Sequence, residues 1–210
     1  MTTTRPLLST LALAAGLCGA AGDAGAQSAV TAYGGLRTGS GFQRADGTAT
    51  AVDVRSRPAG TLALELPYDA SRQWQWLLSH QSTRLQLGDS ATPGAPTELP
   101  LDVTYLHVGG LNFFDGQAGR GPYVSGGLGL THMSPRLPGT SSRTRGSLSV
   151  GIGYQWAPAA GSVALRAELR GYATLIRSDG AFFCSGGCTV SIRGDTMTQL
   201  EAMVGVSVGF

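Results

Sequence analysis

The last ten residues alternate without a break: Ala202, Val204, Val206, Val208 and Phe210 are apolar, whereas Glu201, Met203, Gly205, Ser207 and Gly209 are charged, small or adaptable. A period of two predicts a strand with one greasy face. The same period recurs back along the chain and lays out eight segments. The first runs from Val30 to about Phe42, with Val30, Ala32, Gly34 and Leu36 on one face and Thr31, Tyr33, Gly35 and Arg37 on the other. Gln43 to Arg57 is polar and reads as a loop, Thr61 to Leu66 alternates again, and Pro67 to Ser71 is a short turn. The third strand spans Arg72 to about Leu87, and Gly88 to Pro100, with three prolines, is predicted to be irregular. Leu101 to Phe114 is the fourth strand. Its phase is open, because Val103, Tyr105 and His107 compete with Leu106 and Val108, and Gly109-Gly110 is a candidate bulge.

Asp115 to Gly121 is a glycine-rich turn, and the fifth strand begins with Pro122 to Leu130. After a loop from Pro135 to Ser142, Leu148, Val150, Ile152, Tyr154 and Trp156 form the cleanest apolar face in the chain. A turn at Ala157 to Gly161 leads into the seventh strand, Val163 to Leu175, whose outer face is Val163, Leu165, Ala167, Leu169, Gly171 and Ala173. Ile176 to Asp195 is the last loop, and the eighth strand returns to Phe210. Strands of about ten residues suit a tilted crossing of a bilayer. Long and short connections alternate, as outer loops and periplasmic turns do.

The amino-terminus changes the picture by naming a compartment. Arg5, the apolar run Leu7 to Leu17, and Ala24-Gly25-Ala26 before Gln27 fit a secretory signal peptide. Residues 1–26 are therefore expected to be removed, leaving one domain over 27–210. The apolar run is short of the roughly 20 residues a spanning helix needs. Cys18 invites a lipoprotein reading, but Leu17 stands where a small residue is expected. Only 13% of the residues are charged and 32 are glycine, which is unusual in a soluble protein and natural in a barrel with one face toward lipid. All 15 basic residues are arginine and they are scattered, so no phosphate track for nucleic acid is present. Cys184 and Cys188, separated by Ser185-Gly186-Gly187, are expected to close a small disulfide ring. Half of a metal site is the rival, without further ligands at matching spacing. No cofactor or metal is implied.

Phe210 at the carboxy-terminus on the apolar face, with Val206 and Val208 before it, resembles the insertion signal of bacterial outer-membrane barrels. Pro122 to Leu130 carries the next closest likeness. The chain is similar to the OmpA-like, OmpX/Ail-like and opacity-type barrels over almost all of 27–210. The resemblance implies an all-β, up-and-down, eight-stranded antiparallel transmembrane barrel in the bacterial outer membrane. It also implies a monomer inserted by the barrel-assembly machinery and bathed in outer-membrane lipid and lipopolysaccharide. Trp74, Trp76, Tyr154 and Trp156, beside short turns, fit an interfacial aromatic girdle. A role in envelope integrity or surface contact falls to the loops around Asp46, Pro93, Thr140 and Cys184, where a surface ligand would bind.

Three other readings compete. Arg37, Glu65, Arg166, Glu168, Arg170 and Glu201 all fall on the non-lipid face, where charges must pair. They form either a satisfied ionic core or the gate of a narrow pore. Two His-x-Ser triplets, His80-Gln81-Ser82 and His132-Met133-Ser134, match the pair used by one class of lipid A deacylase, with His132 and Ser134 the pair to test. A serine nucleophile needs an oriented base, and no Glu follows either triplet at short spacing. The structural rival is a secreted soluble β-sandwich.

Overall fold

The computed structural model describes residues 28–39, 42–44, 51–54, 56–86, 98–136, 140–158, 161–175, 192–193 and 196–210. Eight long strands carry the fold: β1 (Ala29–Gly39), β2 (Arg57–Pro67), β3 (Arg72–Gln86), β4 (Glu98–Phe113), β5 (Gly121–Pro135), β6 (Arg143–Trp156), β7 (Val163–Leu175) and β8 (Thr196–Gly209). Each pairs antiparallel with its neighbour in sequence, and β1 pairs with β8, so the sheet closes on itself. Following paired residues from Ala29 through Glu65, Gln75, Gly109, Gly127, Ser149, Tyr172 and Gln199 returns to β1 at Gly39, ten residues further along. That stagger over eight strands corresponds to a strand tilt of about 40° and a bore that side chains can fill.

The structure corrects several sequence expectations and settles one that was open. The pairings β3–β4 and β4–β5 run unbroken through Gly109 and Gly110, so there is no bulge. The glycines serve close approach instead: a Cβ on Gly109 would lie 1.8 Å from the carbonyl oxygen of Gly126. The phase of β4 is settled with Val103, Tyr105 and His107 buried inside and Leu106 and Val108 outside. The stretch read as a loop from Gln43 to Arg57 contains paired backbone. Phe42–Arg44 pairs with Ala51–Val54, which continues along β3 beyond β2, one residue out of register with it. Ile192–Arg193 adds to the free edge of Phe42–Arg44. Finally, β4 starts at Glu98, with Pro100 opposite Arg84, and Pro100 is tolerated because the pairing of β4 with β5 begins only at Leu101.

The exterior is apolar. Val204, midway along β8 between Thr198 and Phe210, is 66% exposed, and Leu36, Leu128, Val150 and Ile152 are exposed to a similar degree. In water such a surface would be a liability, while in a bilayer it is the solvated face. Val204→Arg is expected to lower the unfolding free energy by about 2–4 kcal/mol in lipid vesicles, the cost of a cation near the midplane. Val204→Ala serves as the mild comparison, and urea unfolding in vesicles measures both.

The short turns gather at one end of the barrel and are tied together. Phe113 N–H donates to Ser71 O at 2.9 Å, Ala118 N–H to Ala70 O at 2.7 Å, and Phe210 N–H to Ser28 O at 2.8 Å. In the β2–β3 turn Asp69 accepts from the amides of Ser71 and Arg72 and from Arg72 Nε. The hydrogen bond from the Arg72 guanidinium, followed by the Ser71 amide, holds the Asp69 carboxyl down to about 2. Trp74, Trp76, Tyr154 and Trp156 are all exposed on the outer wall toward this turn end, joined by Tyr68 and Phe114.

Candidate functional site

The inner face carries the polar chemistry. Arg37 on β1 sits directly opposite Glu201 on β8, and its Nη2 and Nε reach Glu201 Oε2 at 2.7 and 3.2 Å. Arg37 Nη2 also bonds Ser79 Oγ, and Tyr172 donates to Glu201 Oε2 at 3.0 Å. The guanidinium lies 5.0 Å from the Tyr105 ring and 4.8 Å from the Tyr172 ring, and these two rings stack at 4.4 Å. Nearer the turn end, Arg166 Nη1 donates to Glu65 Oε1 at 2.7 Å and Nε to Gln155 Oε1 at 2.6 Å. Arg170 Nε donates to Glu168 Oε1 at 2.6 Å, and Tyr123 and Ser125 donate to the same carboxylate at 2.8 Å each. Gln75 couples the last two pairs: its amide nitrogen donates to Glu65 at 3.1 Å and its oxygen accepts from Arg170 at 2.7 Å.

All six charged residues are at most 4% exposed. An unpaired charge at such burial would cost many kcal/mol, so each cation is matched by a carboxylate and each carboxylate by hydroxyl or amide donors. The network spans strands far apart in sequence, which makes it a cross-brace for the barrel. His107 belongs to the same interior, with its two ring nitrogens 2.9 and 2.8 Å from the hydroxyls of Ser149 and Ser147.

Buried apolar side chains flank the network at both ends. Toward the loop end Leu101, Val103, Met133 and Met197 are at most 2% exposed. Toward the turn end Leu111, Phe113 and Tyr123 pack together with Ala118. Beside them a cavity of about 400 Å³ opens outward and reaches the network itself at Gln155 and Arg166, with Gln73, Gln117, Arg120 and Ser207 also in its lining. Three inward rings lie across glycines on the adjoining strand: Tyr33 opposite Gly205, Tyr123 opposite Gly153 and His107 opposite Gly129. A Cβ at any of those glycines would fall within 2.6 Å of a ring atom. At these three positions the glycine has a spatial reason: a bulky ring fits the narrow bore where the facing residue has no side chain.

His132 and Ser134 stand on the outer wall, not in the lumen. His132 Nδ1 is 2.9 Å from Thr144 Oγ1, and His80 Nδ1 makes the same contact with Thr104 at 2.9 Å. Thus the ring nitrogen that a triad would give to an orienting carboxylate is taken by a threonine. Asp102, an outer-wall carboxylate beside these triplets, is bonded to Ser82 Oγ at 2.7 Å and to Arg136. Among the described residues no three His, Cys, Asp or Glu side chains converge as metal ligands. Val206, Val208 and Phe210 all face outward. Cys184 and Cys188 lie outside the described residues, as do the loop positions Asp46 and Pro93. Sequence reasoning missed the tyrosine hydroxyls, Gln75, His107 and the Asp102–Arg136 pair. Period two could have placed the first three on the inner face, but nothing in the sequence pairs Asp102 with Arg136.

No family model and no curated relative matches the chain. Solved structures do. Neisserial surface protein A superposes with a TM-score of 0.58 at 17% identity over 90% of this chain and 100% of that one. Outer membrane protein OprG from Pseudomonas aeruginosa gives 0.52 at 11% identity over 89% and 97%. Outer membrane protein AlkL, solved in lipid bilayers, gives 0.53 at 10% identity over 100% and 97%. At these identities the likeness concerns the fold, and it agrees with the closed register, the apolar wall and the polar bore. The chain has the fold of the eight-stranded outer-membrane β-barrels.

Proposed function

We propose that the protein is a small structural barrel of the bacterial outer membrane that acts in envelope integrity and surface contact through its long connections, with a lumen that braces and does not conduct. The observation that carries this reading is the lumen itself, where Arg37, Arg166 and Arg170 are each neutralised by a buried carboxylate. A pore would need these pairs to separate, each at a large desolvation cost. In this reading residues 1–26 are removed on export, Val206, Val208 and Phe210 are read by the assembly machinery, and the monomer sits with its turns in the periplasm. Lipid A hydrolysis is not part of it, because among the described residues His132 Nδ1 meets the Thr144 hydroxyl and not a carboxylate.

Planar-bilayer recording tests the proposal together with loop trimming. The expected result is no conductance from a barrel whose unboiled band migrates anomalously, and loss of surface attachment when the connections around Pro93 and Cys184 are shortened. Steady conductance that changes in Glu65→Gln would replace the bracing role with a gated pore.

A further inference from the structure

The turn end of the barrel surrounds the cavity of about 400 Å³. Its rim takes residues from all three short turns, Ala70, Gly119 and Pro158, and from the ends of β1 and β8 at Ala29 and Gly209. Its floor lies inside the bore at Gln155, Arg166 and Ser207, on the inner faces of β6, β7 and β8. A volume in the range of about 300–1,000 Å³ suits a small molecule. The β4–β5 turn lies over the floor, since a Cβ on Gly119 would stand 3.8 Å from Gln155 Nε2.

Arg166 carries the chemistry of this floor. It is 1% exposed, and it donates from Nε to Gln155 at 2.6 Å and from Nη1 to Glu65 at 2.7 Å and to Tyr33 at 3.3 Å. Its Nη2 is buried and has no hydrogen-bond partner among the described residues. A buried donor without an acceptor is rare in a folded protein and calls for an explanation. Nε and Nη2 share one edge of the planar guanidinium, so the orphan donor lies on the side where Gln155 meets the cavity.

The charges around the mouth agree with an acceptor that is itself negative. Arg120, exposed on the β4–β5 turn, is the second arginine of the lining, and no Asp or Glu belongs to that lining. The carboxylates nearby are placed elsewhere: Glu65 approaches Arg166 at Nη1, Asp69 is held by Arg72 at 2.6 Å, and Asp115 lies against Gly121 at the end of its turn. Ser162, Ser207 and Gln117 add hydroxyl and amide groups that match a hydroxylated molecule. We propose that this cavity binds a small hydroxylated carboxylate, whose carboxylate accepts from Arg166 Nη2 and faces Arg120. In the outer-membrane reading above this end faces the periplasm, and only the side from which the ligand arrives rests on that reading.

The test titrates the refolded, isotope-labelled protein in zwitterionic detergent with gluconate at constant ionic strength, and the backbone amide shifts of Gly119, Arg120 and Ser207 report binding. Sorbitol, the same carbon chain without the charge, and inorganic phosphate, a compact anion, are the comparisons. Gluconate is expected to bind saturably and at least about tenfold more tightly than sorbitol or phosphate. Ala164→Leu, which fills the cavity from the inner face of β7 without altering a charge, should abolish binding. Arg120→Gln should weaken it by about three- to tenfold, and Arg136→Gln at the opposite end should leave it unchanged. If Ala164→Leu fails to fold, Arg120→Gln decides alone. No saturable shift, equal affinity for gluconate and sorbitol, tighter binding of phosphate, or gluconate binding that survives both cavity variants overturns the site. Absence of a boiled-against-unboiled shift in the wild type would overturn the barrel reading itself, which separates the two failures.

Discussion

Replacing Glu65 with alanine is expected to lower the unfolding free energy by about 3–5 kcal/mol, because it strands the Arg166 guanidinium in a buried site. Glu65 is fully buried and accepts from Arg166, Gln75 and Thr31, so three donors lose their acceptor at once. The double variant Glu65→Gln with Arg166→Met removes both charges and should recover most of the loss, since a buried pair replaced by neutral groups of similar size is close to neutral. Reversible urea unfolding in vesicles reads both values. A loss under about 1 kcal/mol in Glu65→Ala would mean that water reaches Arg166 readily, and the braced lumen would have to be abandoned.

Gly153→Val is expected to cost at least about 3 kcal/mol, or to prevent folding, because overpacking and a broken charged hydrogen bond act together. A Cβ there would sit 2.4 Å from Tyr123 Cζ and 2.8 Å from the Ala167 carbonyl oxygen. The ring cannot yield without giving up its 2.8 Å bond to Glu168. Gly34→Val on the outer wall is the matched control, since nothing lies within 4 Å of its added Cβ, and it should be nearly neutral. Tyr123→Phe keeps the ring and removes the bond, so its smaller loss separates the two contributions. If Gly153→Val folds with the stability of Gly34→Val, the ring-over-glycine packing does not determine the bore.

The outer face was legible in the sequence because lipid imposes one simple demand. Every outward residue of the membrane band meets the same apolar solvent, so the wall appears as plain alternation in the sixth, seventh and eighth strands. The prediction faltered in β4, where both phases carry apolar residues. Leu106 and Val108 meet lipid while Val103 and Leu111 fill the bore, so hydrophobicity alone cannot say which side is in. The pairing register on both flanks decides it.

The short strands around Phe42 and Ile192 were missed for a related reason. They form where β3 outruns β2 and offers an open edge, a matter of strand length and stagger and not of local composition. The His-x-Ser triplets show the converse error. Adjacent in sequence, His132 and Ser134 share the outer wall, yet His132 turns its Nδ1 to a threonine twelve residues away.

The sequence by itself determined the eight long strands, the inward set of arginines and glutamates and the greasy wall, because each follows from a period of two read against one apolar solvent. Only the tertiary structure decided which arginine meets which glutamate, which glycine lies beneath which ring, and that Asp102 joins Arg136 and Ser82 outside. Those partners are brought together by a stagger of ten residues over eight strands, and that quantity exists only once the barrel has closed.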